Sequence, residues 1–333
     1  MLKRDKIIVL GSLAFDYIMS FEENFVNAVS IDVEREEYQS TITANSRIQF
    51  FGGTAGNIAY NLGLLNISKV ALFGSVGKDF YSLGYKDHIT QFHNIDLNLD
   101  VQSDLFTAAC YIVNDNKANQ MIIFHGGALD ENKNIDLGKK ITDPEQYAYA
   151  INSTQSVEAM KNFAEQLSQL KIPMIFDPGQ VTPLFSEEDL INTLKKSEIL
   201  IGNSFEISQV IKKTNLNEQK ILEHVKAIVK TKGSNGSELI LKTDSGDLRS
   251  EEIPIAIPNN IADATGAGDG YRAGFLTGLN LGMNILDSCR LGSILGSFVV
   301  ETNGAQTQTY DIKSVKARFQ KTFEYLPPEL ENV

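Results

Sequence analysis

Apolar residues fall in short continuous runs separated by segments of helical period. Ile7–Leu10, Val70–Phe73, Tyr147–Ile151, Met174–Phe176, Ile199–Ile201 and Ala227–Val229 run to only a few residues each, and glycine or polar residues follow them. Such runs predict strands covered on both faces, as in a parallel sheet. Between and after them, 58–65, 80–93, 155–170, 186–196, 204–212, 217–225, 267–280, 286–301 and 311–324 predict helices. The alternation predicts a three-layer α/β/α domain. Residues 237–242 and 247–253 read as an edge hairpin. Two stretches depart from the rhythm. Residues 17–51 and 105–125 carry β-branched residues with partial alternation, and Asn114-Asp115-Asn116 has the chemistry of a hairpin turn. They predict half-exposed strands forming a small β layer outside the main sheet. Internal repeats and Pro/Ser-rich linkers are absent from the sequence. The expectation is one domain over residues 1–333, with a β appendage from about 15–50 and 103–125.

Charge changes the picture by exclusion. The 333 residues carry a net charge of −12, which disfavours nucleic-acid grooves and anionic membrane faces. It does not disfavour a nucleotide, which needs only local amides and one or two cations. The N-terminal apolar run is too short for a signal peptide and reads as a first strand, and no run approaches the ~20 residues of a membrane helix. A cytoplasmic location is expected. Cys110 and Cys289 lie far apart in apolar settings without metal-ligand spacing, and predict buried, reduced thiols.

The densest chemistry lies in Ile261-Ala262-Asp263-Ala264-Thr265-Gly266-Ala267-Gly268-Asp269-Gly270-Tyr271-Arg272-Ala273-Gly274-Phe275. Amides at a glycine-rich helix start can hold an anion, with the helix dipole helping. Asp269 inside that ring would repel a resting phosphate. It makes sense as a base that takes a proton from a hydroxyl while the amides stabilise a transferring phosphoryl group. The competing reading is a small-residue turn that packs a helix closely on a sheet. The chain has neither Gly-x-x-x-x-Gly-Lys-Ser/Thr, nor Gly-x-Gly-x-x-Gly after the first strand, nor Gly-x-Ser-x-Gly. A P-loop NTPase, a nicotinamide dehydrogenase and a nucleophile-elbow hydrolase are therefore disfavoured. His88, His93, His125 and His224 show no pairing that suggests a triad.

Gly52-Gly53-x-x-Gly56-Asn57-x-Ala59, followed by Asp263-Ala264-Thr265-Gly266-Ala267-Gly268-Asp269, resembles the two signatures of the ribokinase-like (PfkB) sugar kinases over nearly the whole chain. The resemblance implies ATP-dependent phosphorylation of a primary hydroxyl, on a Rossmann-like sheet with a β lid. It implies Asp269 as the catalytic base and Gly266, Ala267 and Gly268 as the anion hole. Asp16, Gly53 and Asn57 would hold acceptor hydroxyls, although an Asx-turn fits Asp16 and a helix N-cap fits Asn57. Asn203 and Glu206 match the Asn-x-x-Glu motif that organises Mg²⁺ and phosphates, and they also resemble a capping pair. Thr231 and Gly233 match the strand end that approaches ATP, and Asn303 falls where the adenine pocket closes. Asp263 and Thr265 stand where relatives hold a monovalent cation such as K⁺; a turn hydrogen bond fits them equally.

Many sugar kinases carry a lysine in the first signature, and Thr54-Ala55-Gly56-Asn57 has none. The run Phe124-His125-Gly126-Gly127, with Asp177-Pro178-Gly179-Gln180 and Ser12 four residues before Asp16, is closer to the bacterial adenosine-kinase-like branch. That branch implies Phe124 stacking on a purine, with core packing as the alternative, and Gln180 and Ser12 near the acceptor. The expected reaction is phosphorylation of the 5′-hydroxyl of adenosine or a related ribonucleoside. The alternatives are a kinase for a free pentose, hexose or sugar derivative, and a silent nucleotide-binding regulator. Exposed lid strands offer edges through which a homodimer could pair.

Overall fold

The computed structural model describes residues 4–333 apart from 33–36, Ala118 and Asp244. A nine-stranded sheet runs in the order Leu248–Ile253, Ser237–Lys242, Ala227–Thr231, Ile199–Asn203, Met174–Phe176, Tyr147–Asn152, Lys6–Leu10, Lys69–Gly77, Ile95–Gln102. Pairing is parallel from Ala227–Thr231 to Ile95–Gln102, and the first two strands form the antiparallel edge hairpin. Alternate residues feed opposite faces. Ile7 and Val9 pack with Tyr271, Phe275, Leu291 and Phe319, while Ile8 and Leu10 pack with Phe163, Leu190 and Ile207. The three layers anticipated from the apolar runs are present.

The chain leaves Lys6–Leu10 in one direction through Lys69–Gly77 and returns to Tyr147–Asn152 on its other side. Strand order therefore reverses between those two neighbours. Ligands in open α/β sheets bind in the crevice beyond the strand C-termini at such a switch point.

A second sheet is ordered Ser46–Gly52, Ala14–Ser20, Ala108–Asn114, Gln120–His125, and Val29–Asp32 pairs with Glu37–Ser40 as a separate ribbon. Ala14–Ser20 follows strand Lys6–Leu10 after three residues, so the second sheet grows from the mouth of the switch crevice.

Two helices face one another along a seam of small residues. Helix Ala267–Leu281 crosses helix Ile285–Val299, and a Cβ added at Gly270, Gly274 or Gly278 would lie 2.6, 2.5 or 2.7 Å from Val299, Leu291 or Ser288. Close packing at the glycine-rich segment is thus real. Along the helix it is helix on helix, and at Gly266, before Asp269, a Cβ would also lie 2.5 Å from Ala305.

Some elements differ from expectation. The helix foreseen over 80–93 is two short ones, Asp79–Ser82 and Tyr85–Thr90, divided at Gly84 with φ +84. Only Glu218–Ile221 is helical within 217–225. Ile95–Gln102 is an unanticipated edge strand, and Gly127–Asn134 an unanticipated 3₁₀ segment. Cys289 is buried as expected, but Cys110 is only partly buried, on the second sheet.

Candidate active site

The switch crevice is laced by short polar contacts. Ser153 donates its amide and hydroxyl to the Leu10 carbonyl at 2.8 and 2.7 Å. Ser12 holds the start of helix Thr54–Leu65: its Oγ accepts from the Thr54 amide at 2.9 Å, and its carbonyl accepts from Ala55 and Gly56 at 3.0 and 3.3 Å. Gly53, the residue before that helix, has φ +85, and a Cβ there would lie 2.5 Å from the Ser12 carbonyl oxygen. Only glycine fits both conditions. Asn57 is not the cap. It lies inside the helix, donating its amide to the Gly53 carbonyl, so its side chain is available elsewhere.

That side chain reaches Asp269. Asn57 Nδ2 donates to Asp269 Oδ2 at 2.7 Å, joining two helices 212 residues apart in sequence. Gly266 precedes helix Ala267–Leu281 in the left-handed region at φ +79, so the helix N-terminus opens beside Asp269 in its first turn. Burial raises the Asp269 carboxyl to about 6. The nearby Arg272 charge and the Asn57 bond oppose the rise, while Asp177 and Glu206 add to it. Arg272 grips Asp177 with two bonds of 2.5 Å and donates to the Gly268 carbonyl at 3.0 Å, tying the helix start to the end of strand Met174–Phe176.

Glu206 lies on the same side, its Oε2 3.8 Å from Arg272 Nη2. Asn203 and Glu206 form a reciprocal capping box: Asn203 Oδ1 accepts from the Glu206 amide at 2.9 Å, and Glu206 Oε2 accepts from the Asn203 amide at 2.7 Å. The capping reading of this pair therefore holds. Burial, then the negative charge of Asp177, raises the Glu206 pKa. A carboxylate so placed gains from a cation, and the described contacts of Glu206 fall on Oε2. An open cleft of about 330 Å³ beside it is lined by Asn203, Ser204, Phe205, Thr231, Lys232, Gly233 and Asn235. Gly233 has φ +58 and open space around it.

Asp263 is held in a turn. Its Oδ1 accepts from the Thr265 amide and hydroxyl at 2.9 and 2.8 Å, and its Oδ2 from the Gly304 amide at 3.1 Å. These bonds join the glycine-rich loop to the Asn303–Ala305 turn. No cluster of three His, Cys, Asp or Glu side chains able to hold a metal ion occurs among the described residues. Asn303 is exposed, as is Gln180 on the 3₁₀ segment Gly179–Leu184.

Across the second sheet, Phe50, Asp16, Cys110 and Phe124 pair directly and share one face. The next row on that face is Ile48, Ile18, Ile112 and Ile122. Burial raises Asp16 to about 6. Its carboxylate lies where a Cβ on Gly52 would come within 2.2 Å of Oδ2. Phe124 is 55% exposed, which removes core packing for it, and it stands two strand spacings, roughly 10 Å, from Asp16.

Asn57 and Asp269 touch, and Glu206 and Asp177 act on Asp269 through charge. Asp16 belongs to the other sheet, and Gln180 makes no contact with these groups among the described hydrogen bonds. Sequence reasoning missed Gln306 and Tyr85. Gln306 Nε2 donates to Asn57 Oδ1 at 2.9 Å and to Tyr85 Oη at 2.8 Å. Neither lies in a motif, and only the pairing of distant segments brings them to the site. Arg272 and Asp177 were visible as motif letters without their mutual bond.

A nucleoside kinase of Methanocaldococcus jannaschii is 29% identical over 96% of this chain and 98% of its own length. The structure of Burkholderia thailandensis nucleoside kinase in complex with inosine superposes with a TM-score of 0.81 at 30% identity, covering 97% of this chain and 99% of that one. The same protein in complex with ADP-inosine gives a TM-score of 0.79 over 97% of both chains, again at 30% identity. The ribokinase-like α/β fold is common to them. The model of the pfkB family of carbohydrate kinases matches residues 19–312. A buried carboxylate at an open helix N-terminus, beside a switch-point crevice, is thus set in the fold of known kinases, and the chain belongs to the pfkB carbohydrate kinase family.

Proposed function

We propose that this chain transfers the γ-phosphoryl group of ATP to the 5′-hydroxyl of a ribonucleoside, with adenosine and inosine as the leading acceptors. One observation carries the choice of nucleoside over free sugar: the two rows on the second sheet. Phe50, Cys110 and Phe124 beside Asp16, followed by four isoleucines, make a broad apolar face next to a single carboxylate. A ribose needs hydroxyl acceptors, and its base needs a flat apolar surface. A free pentose would leave most of that face bare. The archaeal and Burkholderia nucleoside kinases support the same choice.

In this reading Asp16 and Asn57 hold the ribose hydroxyls and Phe124 meets the base. Asp269 accepts the proton of the 5′-hydroxyl as its oxygen forms a bond to the γ-phosphorus and the β–γ bridging P–O bond breaks. The amides of Gly266, Ala267 and Gly268 stabilise the charge on the transferring group. Thr231, Gly233 and Asn303 line the approach of ATP. Glu206, with Asn203 holding it, fits a place beside hydrated Mg²⁺, which would supply charge neutralisation at the phosphates. Asp263 and Thr265 form a turn that K⁺ could adjoin; activity compared in K⁺ and Na⁺ buffers tests that placement.

ATP consumption over adenosine, inosine, guanosine, cytidine, ribose and fructose 6-phosphate is the test. Turnover on nucleosides with little on free sugars is expected. Turnover confined to ribose or fructose 6-phosphate would overturn the acceptor assignment, and nucleoside binding without turnover on any acceptor would favour a regulator.

A further inference from the structure

Gln306 is buried, at 3% exposure, and makes no contact with Asp269 among the described hydrogen bonds. It stands one residue behind, on Asn57. An ionised carboxylate only accepts hydrogen bonds, so Asn57 must turn its NH₂ toward Asp269. Its Oδ1 then points into a buried region and needs a donor. Gln306 Nε2 is that donor, and its second N–H goes to Tyr85 Oη. Tyr85 in turn donates to the Gly52 carbonyl at 2.6 Å. Each bond fixes the direction of the next: Gln306 is the double donor at the centre, with Gly52 at one end and Asp269 at the other.

The polarity has one solution. Rotating the Gln306 amide would set two carbonyl oxygens against each other, and a rotated Asn57 would set its oxygen against the carboxylate. The arrangement leaves Gln306 Oε1 buried without a partner among the described residues. The amide keeps its NH₂ toward Asn57, and its oxygen is left to the side of His88, whose buried Nε2 is likewise unpartnered among the described residues.

We infer that Gln306 is a positioning residue for phosphoryl transfer: by donating to Asn57 it holds the Asn57 amide in the only orientation that can bond Asp269. The inference rests on the kinase reading for its activity readout, and its geometry is independent of that reading. Replacing Gln306 with a same-shaped residue that lacks the donor frees Asn57 to rotate and strips Asp269 of its bond. The groups facing Asp269 are Arg272, Asp177 and Glu206, and Tyr85 feels the charge of both Asp269 and Asp16; His88 lies beside Gln306. The substitution leaves Arg272, Asp177 and Glu206 in place, while Tyr85 loses the Gln306 N–H and His88 loses its amide neighbour.

The test is a double-mutant cycle on the full-length protein with Gln306→Glu, Gln306→Met, Asn57→Ala and the combinations. Gln306→Met is expected to lower kcat by about 10- to 100-fold with the KM for ATP within about threefold of wild type, and Gln306→Glu to do so only where its carboxyl is ionised, since the protonated form can still donate to Asn57. In the Asn57→Ala background the same change should cost less than about twofold, because its route to Asp269 is already gone. Losses that multiply, or wild-type kcat in Gln306→Met, would overturn the inference. The Asp269 carboxyl, identified against Asp269→Asn by ¹³C NMR, should titrate higher in Gln306→Met than in wild type, and an unchanged titration would also overturn it. Should wild type phosphorylate no acceptor, the kinase reading fails and the carboxyl titration alone decides. Gln306→Met guards against a Gln306→Glu variant that does not fold.

Discussion

Asp16 and Asp269 reach the same ionisation range by different routes. Asp16 is raised to about 6 by burial alone, against Gly52 on the neighbouring strand. Asp269 also rises to about 6, with burial opposed by Arg272 and Asn57 and assisted by Asp177 and Glu206. Both must be ionised for the proposed reaction, one to accept ribose hydroxyls and one to accept the proton. The acid limb of log kcat/KM should therefore steepen toward a slope of two below about pH 6, and a limb of slope one would remove one of the two from the mechanism. Asp269→Asn should reduce kcat by at least ~10³-fold while calorimetry finds nucleoside binding nearly unchanged; retained turnover refutes the base. Gly52→Ala is expected to raise the nucleoside KM without a matching loss of kcat, since its Cβ would displace the Asp16 carboxylate. Equal KM values would show that Asp16 does not hold the acceptor.

The helix seam is where element geometry meets the site. Helix Ala267–Leu281 carries Asp269 at one end and is clamped along its length by helix Ile285–Val299. Gly274→Ala would bring a Cβ to 2.5 Å from the Leu291 carbonyl oxygen. Thermal unfolding should show a loss of about 1–3 kcal/mol, with activity falling as the helix start shifts. An unchanged Tm would mean that the crossing yields. Much at this scale was legible in the sequence, because buried parallel strands are short apolar runs and Gly266–Asp269 is a dense local signal. Ile95–Gln102 escaped because aspartate and asparagine, poor strand formers, occupy its alternate positions. The Tyr85–Gln306–Asn57 chain escaped for a different reason. Its members are 221 and 249 residues apart, and nothing in the local composition of any of them reports on the others. The capping box at Asn203 and Glu206 was readable from spacing, whereas the Arg272–Asp177 pair needed the folded sheet.

At the scale of the whole molecule, the raised carboxyl has a thermodynamic sign. A native pKa above the ordinary value of 3.8 means the folded state binds the Asp269 proton more tightly than the unfolded chain does. The resulting destabilisation is absent below about pH 3.8, grows as pH rises, and is complete above about 6. Its upper bound is about 3 kcal/mol, from 1.36 kcal/mol per pKa unit. Asp269→Asn should therefore be more stable than wild type at pH 8, with the difference in Tm shrinking as pH falls toward 4. A variant less stable at pH 8 would show that the Asn57 and Arg272 contacts outweigh burial. Stability and turnover would move in opposite directions, as they do where a site holds a strained charge.

The second sheet springs from the main one through three residues after Lys6–Leu10 and presents its apolar rows on exposed or half-exposed positions such as Ile48, Ile122 and Phe124. The glycine seam allows almost no side-chain growth, whereas those rows can change size and polarity with little effect on the core. Inheritance can thus act on the two parts separately. Descendants of one ancestral chain could exchange one acceptor for another by rewriting a few outward positions while the reacting end stays fixed.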